Sequence, residues 1–531
     1  MKDRKRLALC LLAALSASGC AVGPDFKSPP APEVSRFTPE DMKTAGAGAP
    51  ALDFGKPVPE RWWAAFGNPS LNRLVEAAIA QNPTIPAAEA AIRVAFYNAE
   101  AQKGGFLPQL FLSGGASTNL VSNNVSAASA AQANFAQNLT GLVPLITTPS
   151  SLNPPYGLFL SQLSVAYTAD IWGQNRRAVE SLDAQTDQQR YQLEAAYLTL
   201  TSNLVAAAIQ EATVRAEIQA TQNVIRIERD LLEITRANLE KGYIAKADFL
   251  AQQAALAQAL ELLPPLEKQL AQGRDLLTAL AGQYPSAEIS ERFSLQSLRL
   301  PQRLPVGLPS ALVRQRPDVR AAEAAMHSAS AQVGVAIAAR LPQLTITGAR
   351  GSSAYSFGQM LTPGTGFYVL AANATQPLFE GFSLLNKQKG AEAGLAQAEA
   401  QYRSAVITAF QNVADALRAL QADSKAVAAA HFAERTALQS LDIVVAQAKA
   451  GQIAQLAILN AQQTYLLASI NSAQAEGARL SDVAALFMAL GGGWNDQNLK
   501  NLPPSGDLAN ASPPAPIHGP VNDSLLPSLT E

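Results

Sequence analysis

Residues 315–348 read QRPDVRAAEAAMHSASAQVGVAIAARLPQLTITG, and residues 81–114 read QNPTIPAAEAAIRVAFYNAEAQKGGFLPQLFLSG. The two align without a gap at an offset of 234, with 13 of 34 positions identical. Alanine richness inflates such a score, but it does not place Pro83/Pro317, the AAEAA block and LPQL together. The chain therefore contains two copies of one supersecondary unit. In each copy a helix, about 71–104 and about 308–339, runs into a strand that begins at LPQL.

A second echo follows the first. GYIAKADFLAQQ starts at Gly242 and GQIAQLAILNAQ at Gly451, an offset of 209. Most of the shortfall lies in one place. Gly114 to Tyr156 spans 42 residues, whereas Gly348 to Phe367 spans 19. The first copy thus has an enlarged loop over 119–155, rich in Ser, Asn, Ala and Pro.

The strands alternate. Leu110, Leu112 and Gly114 fall on one face, with Phe111 and Ser113 on the other. Leu344, Ile346 and Gly348 alternate with Thr345 and Thr347, and Leu163, Val165 and Tyr167 with Ser164, Ala166 and Thr168. A fourth segment, GFYVLAANATQP, begins with aromatic residues. Period-two segments of about ten residues with aromatic ends are the signature of outer-membrane strands. The alternative is the edge of a soluble sandwich, but no second sheet is present to cover these strands. Four strands cannot close a membrane barrel, which needs about eight, and open edges are not tolerated in lipid. Two chains would supply eight strands and three would supply twelve.

Between Trp172 and Gly242 there is no proline, nor between Phe379 and Gly451. Each stretch is roughly 100 Å long as a continuous helix. Val406, Phe410, Val413, Leu417 and Leu420 step in fours and threes, as do Leu193, Tyr197, Leu200 and Leu204. Simple bundle packing explains these stripes equally well. It does not explain the length, or why each helix starts at a membrane-type strand. The return helix from about 246 is broken by Pro264-Pro265, and its partner from about 455 is not.

The N-terminus has a basic start, an apolar stretch from Leu7 to Gly19, and Cys20. Thirteen apolar-region residues are too few to span a bilayer but fit a signal segment. Ala17-Ser18-Gly19-Cys20 resembles the bacterial lipobox, which makes Cys20 a lipidation site. An ordinary signal peptide cut elsewhere is the alternative. Cleavage before Cys20 removes Cys10, so no intramolecular disulfide remains. The full chain carries a net charge of −2, and no broad field for nucleic acid is expected.

CAVGPDF at 20–26, WWAAFGNPSLNRLVEAAIAQNP at 62–83, the 314–344 block, QPLFEGF at 376–382 and LFMALGGGW at 486–494 together resemble the outer membrane factor family. These are the TolC-like channels, here the lipidated OprM-like branch serving RND-type pumps. The match runs over about residues 20–500. The resemblance implies an α+β membrane protein. Three chains would give one twelve-stranded outer-membrane β-barrel, four strands per chain, continued by a long periplasmic α-helical barrel. An equatorial domain would come from the N- and C-terminal segments. The implied activity is passive exit of small molecules delivered by an inner-membrane pump through a periplasmic adaptor. Implied partners are two further copies of the chain, the adaptor, the pump and outer-membrane lipid. No cofactor is implied beyond the covalent lipid on Cys20.

The resemblance also places the periplasmic hairpin tips at the two glycine turns. Gly242, Ile244, Ala245, Gly451 and Ala454 would meet the adaptor. Family members often set acidic residues after the tip glycines, where symmetry makes them rings that attract cations. Here Asp248 follows Gly242, whereas the matching second-copy positions carry Ala457 and Asn460. A single acidic ring at Asp248 is expected, with Ile453 and Leu456 as apolar gate residues. The other reading is that Asp248 caps or pairs within the tip.

The chain divides into a signal segment 1–19, a lipidated extension 20–60, a first repeat 61–282, a linker 283–307, a second repeat 308–490, and an equatorial segment with a Pro-rich tail 491–531. An enzyme is not expected. The three histidines, His327, His431 and His518, form no metal or nucleophile motif. GGGW at 491–494 lacks the Lys-Ser/Thr of a phosphate loop and sits where a helix ends. A trimeric coiled-coil scaffold or adhesin is the rival class; two repeats that each bring a strand pair argue against it. A soluble periplasmic adaptor is a third.

Overall fold

A computed structural model describes residues 21–40, 50–119, 156–450, 452 and 455–493. The signal segment with Cys20, the enlarged loop from 120, the tip residues Gly451, Ile453 and Ala454, and the tail lie outside them.

In chain order the elements are β1 (Ala51–Phe54), α1 (Pro69–Gln81), α2 (Thr84–Lys103), β2 (Gln109–Asn119), β3 (Tyr156–Ala169), α3 (Gln174–Glu240), α4 (Lys246–Glu261), α5 (Leu263–Leu280), β4 (Arg303–Val306), α6 (Pro309–Gln315), α7 (Pro317–Ala338), β5 (Gln343–Ala354), β6 (Gly366–Thr375), α8 (Ser383–Lys449) and α9 (Gln455–Ala489). The long helices α3 and α8 have 67 residues each. As expected, Pro264-Pro265 divides the first return helix into α4 and α5, and α9 runs unbroken for 35 residues.

The helices expected over 71–104 and 308–339 are each two helices. The breaks fall at Asn82 and Arg316, which are equivalent under the 234 offset. Both precede a proline, whose ring pushes the preceding residue out of the helical region. Asn82 has ψ 125° and Arg316 ψ 123°. Around the first break Asn82 Oδ1 accepts from the Thr84 amide at 2.9 Å, starting α2. At the head of α1, Asn68 Oδ1 accepts from the Ser70 and Leu71 amides at 2.9 and 3.1 Å, with Pro69 at the first helical position.

The strands β2, β3, β5 and β6 form one antiparallel sheet in that order. Gln109 pairs with Ala166, Tyr167 with Ile346, and Thr347 with Ala371. Each strand has 10 to 14 residues, long enough to cross a hydrocarbon core when tilted. Cross-strand partners share a face. One face therefore collects Leu110, Val165 and Leu370 in one row, and Leu112, Leu163, Arg350 and Tyr368 in the next. The other carries Ser113, Gln162, Ser164 and Thr347 among larger residues. β2 and β6 are the two edges. No described helix is long and apolar enough to cross a membrane.

The main core lies at the equator of the helices. Trp62, Phe66, Leu71, Leu74 and Val75 from the N-terminal segment pack with Leu204, Ile209, Leu277, Phe293, Leu304, Leu312, Val483 and Phe487. Trp62 and Phe487 rings are 5.5 Å apart. The expected α8 stripe is buried here at Val406, Val413, Leu417 and Leu420. The stretch read as an inter-repeat linker is also built into this layer: its β4 pairs in parallel with β1, Leu52 opposite Leu304. Four-residue strands carry too little period-two pattern to be seen in sequence.

Candidate functional site

The first hairpin tip closes with a pair of main-chain bonds. The Gly242 amide donates to Leu239 O and the Tyr243 amide to Asn238 O, both at 2.9 Å. Gly242, at φ 74°, takes the left-handed conformation that this helix end requires. Tyr243 is then thrown out into solvent. Ile244 is half-buried and Ala245 exposed, at the head of α4. The second tip repeats the bond, Gln452 amide to Gln447 O at 3.0 Å.

Asp248 is the third residue of α4. Its Oδ2 accepts from the Ala245 amide at 3.3 Å, satisfying one of the free donors at the helix start. Ala245 has no side-chain acceptor to return the bond. The carboxylate is half-buried. In the second hairpin Leu456 is exposed, Ala457 half-buried and Asn460 exposed. The tips meet through two amides: Gln455 Nε2 donates to Gln252 Oε1 at 2.6 Å. This brings the first turns of α4 and α9 together. Asp248 lies one turn before Gln252, and Leu456 follows Gln455.

Glu228 of α3 was not anticipated from sequence. It is buried, and its carboxyl accepts from Gln252 Nε2. Burial pushes it up to about 7, with the amides of Gln252 and Gln462 pulling the other way. The signal that could have found it is a spacing of seven: Thr221, Glu228 and Thr235 on α3, Gln455, Gln462 and Ser469 on α9.

At the opposite end of the helices the chain enters the sheet. Asp170 Oδ1 and Oδ2 accept from the Asn175 and Arg176 amides at 2.8 and 2.9 Å, capping α3. Trp172 Nε1 donates to Pro342 O at 2.8 Å. Exposed Phe106, Phe379 and Phe382 share this level with Trp172, and exposed Tyr355 and Phe357 mark the other end of the sheet. Two aromatic levels flanking the strands are the girdles of a membrane barrel.

The N-terminal segment is strapped to the same junction. The Val22 amide donates to Trp172 O at 3.0 Å. Arg177 donates to Val22 O at 3.2 Å and pairs with Asp25 at 2.5 Å. Phe26 stacks on His327 with centroids 4.3 Å apart, and His327 Nε2 is 3.0 Å from Glu180 Oε1.

The family model for outer membrane efflux proteins matches residues 74–283 and 308–492. The pyoverdine export outer membrane protein OpmQ of Pseudomonas putida is 28% identical over 491 residues, covering 92% of this chain and 97% of its own length. The cation efflux system protein CusC of Escherichia coli is 25% identical over 513 residues, covering 93% of this chain and all of its own. In fold the chain is similar to the Campylobacter jejuni CmeC outer membrane channel, with a TM-score of 0.79 at 19% identity over 91% of this chain and 98% of that one.

Proposed function

The chain belongs to the outer membrane efflux protein family and is an outer-membrane channel of an efflux system; from that premise we propose that it works as a homotrimeric, passive duct. The observation that carries this reading is the open sheet. Among the described residues four antiparallel strands end in two unpaired edges, β2 and β6, and each strand pair feeds a 67-residue helix. Unpaired strand edges are not stable in hydrocarbon. Three copies placed edge to edge make twelve strands and leave no edge, and the helices then continue the barrel into the periplasm. A scaffold or adhesin needs no such lumen.

A periplasmic adaptor docks at the hairpin tips, around Gly242, Ile244, Ala245, Gly451 and Ala454, and hands over cargo from an inner-membrane RND-type pump. Asp248 contributes one acidic ring at this mouth, and its bond to the Ala245 amide holds it in place; Leu456, with Ile453 by its place in the sequence, supplies the apolar gate. The two roles are compatible, since the bond to the Ala245 amide uses only one of the two carboxylate oxygens. The duct performs no catalytic step. A pyoverdine exporter and a cation efflux protein are similar to this chain at nearly equal identity. Cargo choice is therefore assigned to pump and adaptor, and the class here is broad: drugs, toxic compounds or metabolites.

Cys20 is the lipid anchor. Support comes from its neighbour. The Ala21 side chain lies against Gly173, between β3 and α3, and the next residue bonds to Trp172. An acyl chain on the preceding residue would then start beside the junction of strands and helices, within reach of the inner leaflet.

The test is purification from outer membranes, cross-linking, and planar-bilayer recording. A trimer that conducts ions is expected. A monomer with no conductance at any voltage overturns the reading.

A further inference from the structure

The seam between the two hairpins is polar. Thr221, Glu228 and Thr235 of α3 and Gln462 and Ser469 of α9 are all buried, at a spacing of seven in each helix. That spacing keeps side chains on one line of contact between packed helices. Thr235 and Ser469 bond to carbonyls of their own helices, and Thr221 Oγ1 and the Gln462 amide have no partner, so parting the seam breaks the Gln455–Gln252 bond and lets water reach polar atoms that lack one. Parting the apolar stripe of α8 would have no such compensation.

Glu228 is 3% exposed, 12 residues above the end of α3. Gln252 of α4, which donates to it, is 0% exposed. One buried amide therefore joins the carboxyl to Gln455, the first residue of α9, and so joins the first hairpin to the second. The groups facing Glu228 are neutral: Gln252 from α4 and Gln462 from α9. Arg226, Arg229 and Asp230 are exposed on the far side of α3. On α4 the nearest charges are Asp248, one turn toward the tip, Lys246 beyond it, and Glu261 nine residues the other way. Between Gln455 and Ala475, α9 has no Asp, Glu, Lys or Arg, and Tyr465 is its one ordinary titratable group. Glu217, 11 residues up α3, is the next acid in the seam and is also raised by burial.

We propose that Glu228, acting through Gln252, is a proton-operated latch between the hairpins: the neutral acid keeps Gln455 docked, and loss of its proton to water releases the seam. The latch rests on reading the hairpin tips as the periplasmic mouth of the duct. In the docked form burial holds the carboxyl at about 7, and in water it returns to its ordinary value of 4.5. Protons therefore favour the docked form. Docking is fully favoured below 4.5, weakens as pH rises from there, and has lost its proton contribution above about 7.

Planar-bilayer recording of the full trimer, with pH varied on the tip side, tests this. The open-to-closed ratio is expected to rise by up to about tenfold per pH unit between pH 5 and 7 and then level off. Glu228→Gln is expected to stay closed throughout. Gln455→Ala, which cuts the link and keeps the acid, is expected to open more than wild type at pH 5. A Glu228→Gln profile that matches wild type overturns the latch, as does a conducting wild type with no tip-side pH dependence. Spin labels at exposed Gln222→Cys and Asn460→Cys read the seam directly. Their separation should grow from pH 5 to 7.5 in wild type and not with Glu228→Gln. No growth overturns the latch whether or not the protein conducts, so its failure is distinct from failure of the duct reading.

Discussion

Arg316 Nη1 donates to the main-chain oxygen of Ala489 at 2.9 Å, and its repeat counterpart Asn82 donates through Nδ2 to Leu280 O at the same distance. Ala489 ends α9 and Leu280 ends α5, and they stand 209 apart. In each repeat the pre-proline residue satisfies a carbonyl that the helix end leaves free. Beside each carbonyl a glycine turns the chain, Gly282 at φ 79° and Gly491 at φ 90°. A Cβ on Gly282 would sit 2.6 Å from Gln81 O, and one on Gly491 3.0 Å from Gln315 O. The equator is held by the same clasp twice.

Arg316 is buried and also pairs with Asp318 at 2.7 Å. Arg316→Ala should lower stability by about 1.5–3 kcal/mol, as expected for a buried charged donor, and Asn82→Ala by about 0.5–1.5 kcal/mol. Thermal unfolding followed by helical circular dichroism ranks the two. Equal losses would contradict the charged character of the second clasp.

The N-terminal strap needs two glycines in contact. A Cβ on Gly334 would lie 2.8 Å from both Val22 O and Arg177 Cγ. Gly334→Ala should lift the strap and expose 21–40 to protease while leaving the helices intact. Limited proteolysis reports this as earlier N-terminal cutting; an unchanged digest would mean that the strap shifts without detaching.

Asp423 of α8 is pushed up to about 7, first by burial and then by the hydrogen bond and the charge of Asp482 on α9; Arg479 pulls the other way. A carboxyl raised in the folded state stabilises it below its unfolded value of 3.8 and loses that contribution as pH rises to about 7. Wild type should therefore melt lower at pH 8 than at pH 5. Asp423→Asn should flatten part of that slope, and an unaltered slope would place the proton elsewhere.

Asp248→Gln keeps a side-chain acceptor for the Ala245 amide and removes the charge. Asp248→Ala removes both. If the acid forms a ring, cation preference in planar bilayers falls in both variants. A fall in the Ala variant alone would leave capping as its role.

Cys20→Ser behind a cleavable signal should still give outer-membrane trimers, with poorer delivery. The strands hold the protein in lipid, and a single acyl anchor on Cys20 would be secondary to them. Release of the variant into the soluble fraction would show that the strands do not span.

By itself the sequence determined the period-bound features: two repeats, four alternating strands, proline-free helices of about 100 Å, and the break at Pro264-Pro265. Local periodicity and proline geometry suffice for these. The division of the helices at Asn82 and Arg316 was not read from sequence: each precedes a proline, but the helix-favouring alanines that follow made each stretch look like one helix. Only the tertiary structure decided what the linker 283–307 is for. β4 is a strand because β1 and the aromatic cluster around Trp62 lie beside it. Only the tertiary structure revealed Glu228 as a buried acid. In sequence it is one glutamate among many on a charged helix. Its burial depends on Gln252 and Gln462, which arrive from two other helices, and desolvation is a property of that assembled neighbourhood rather than of any segment.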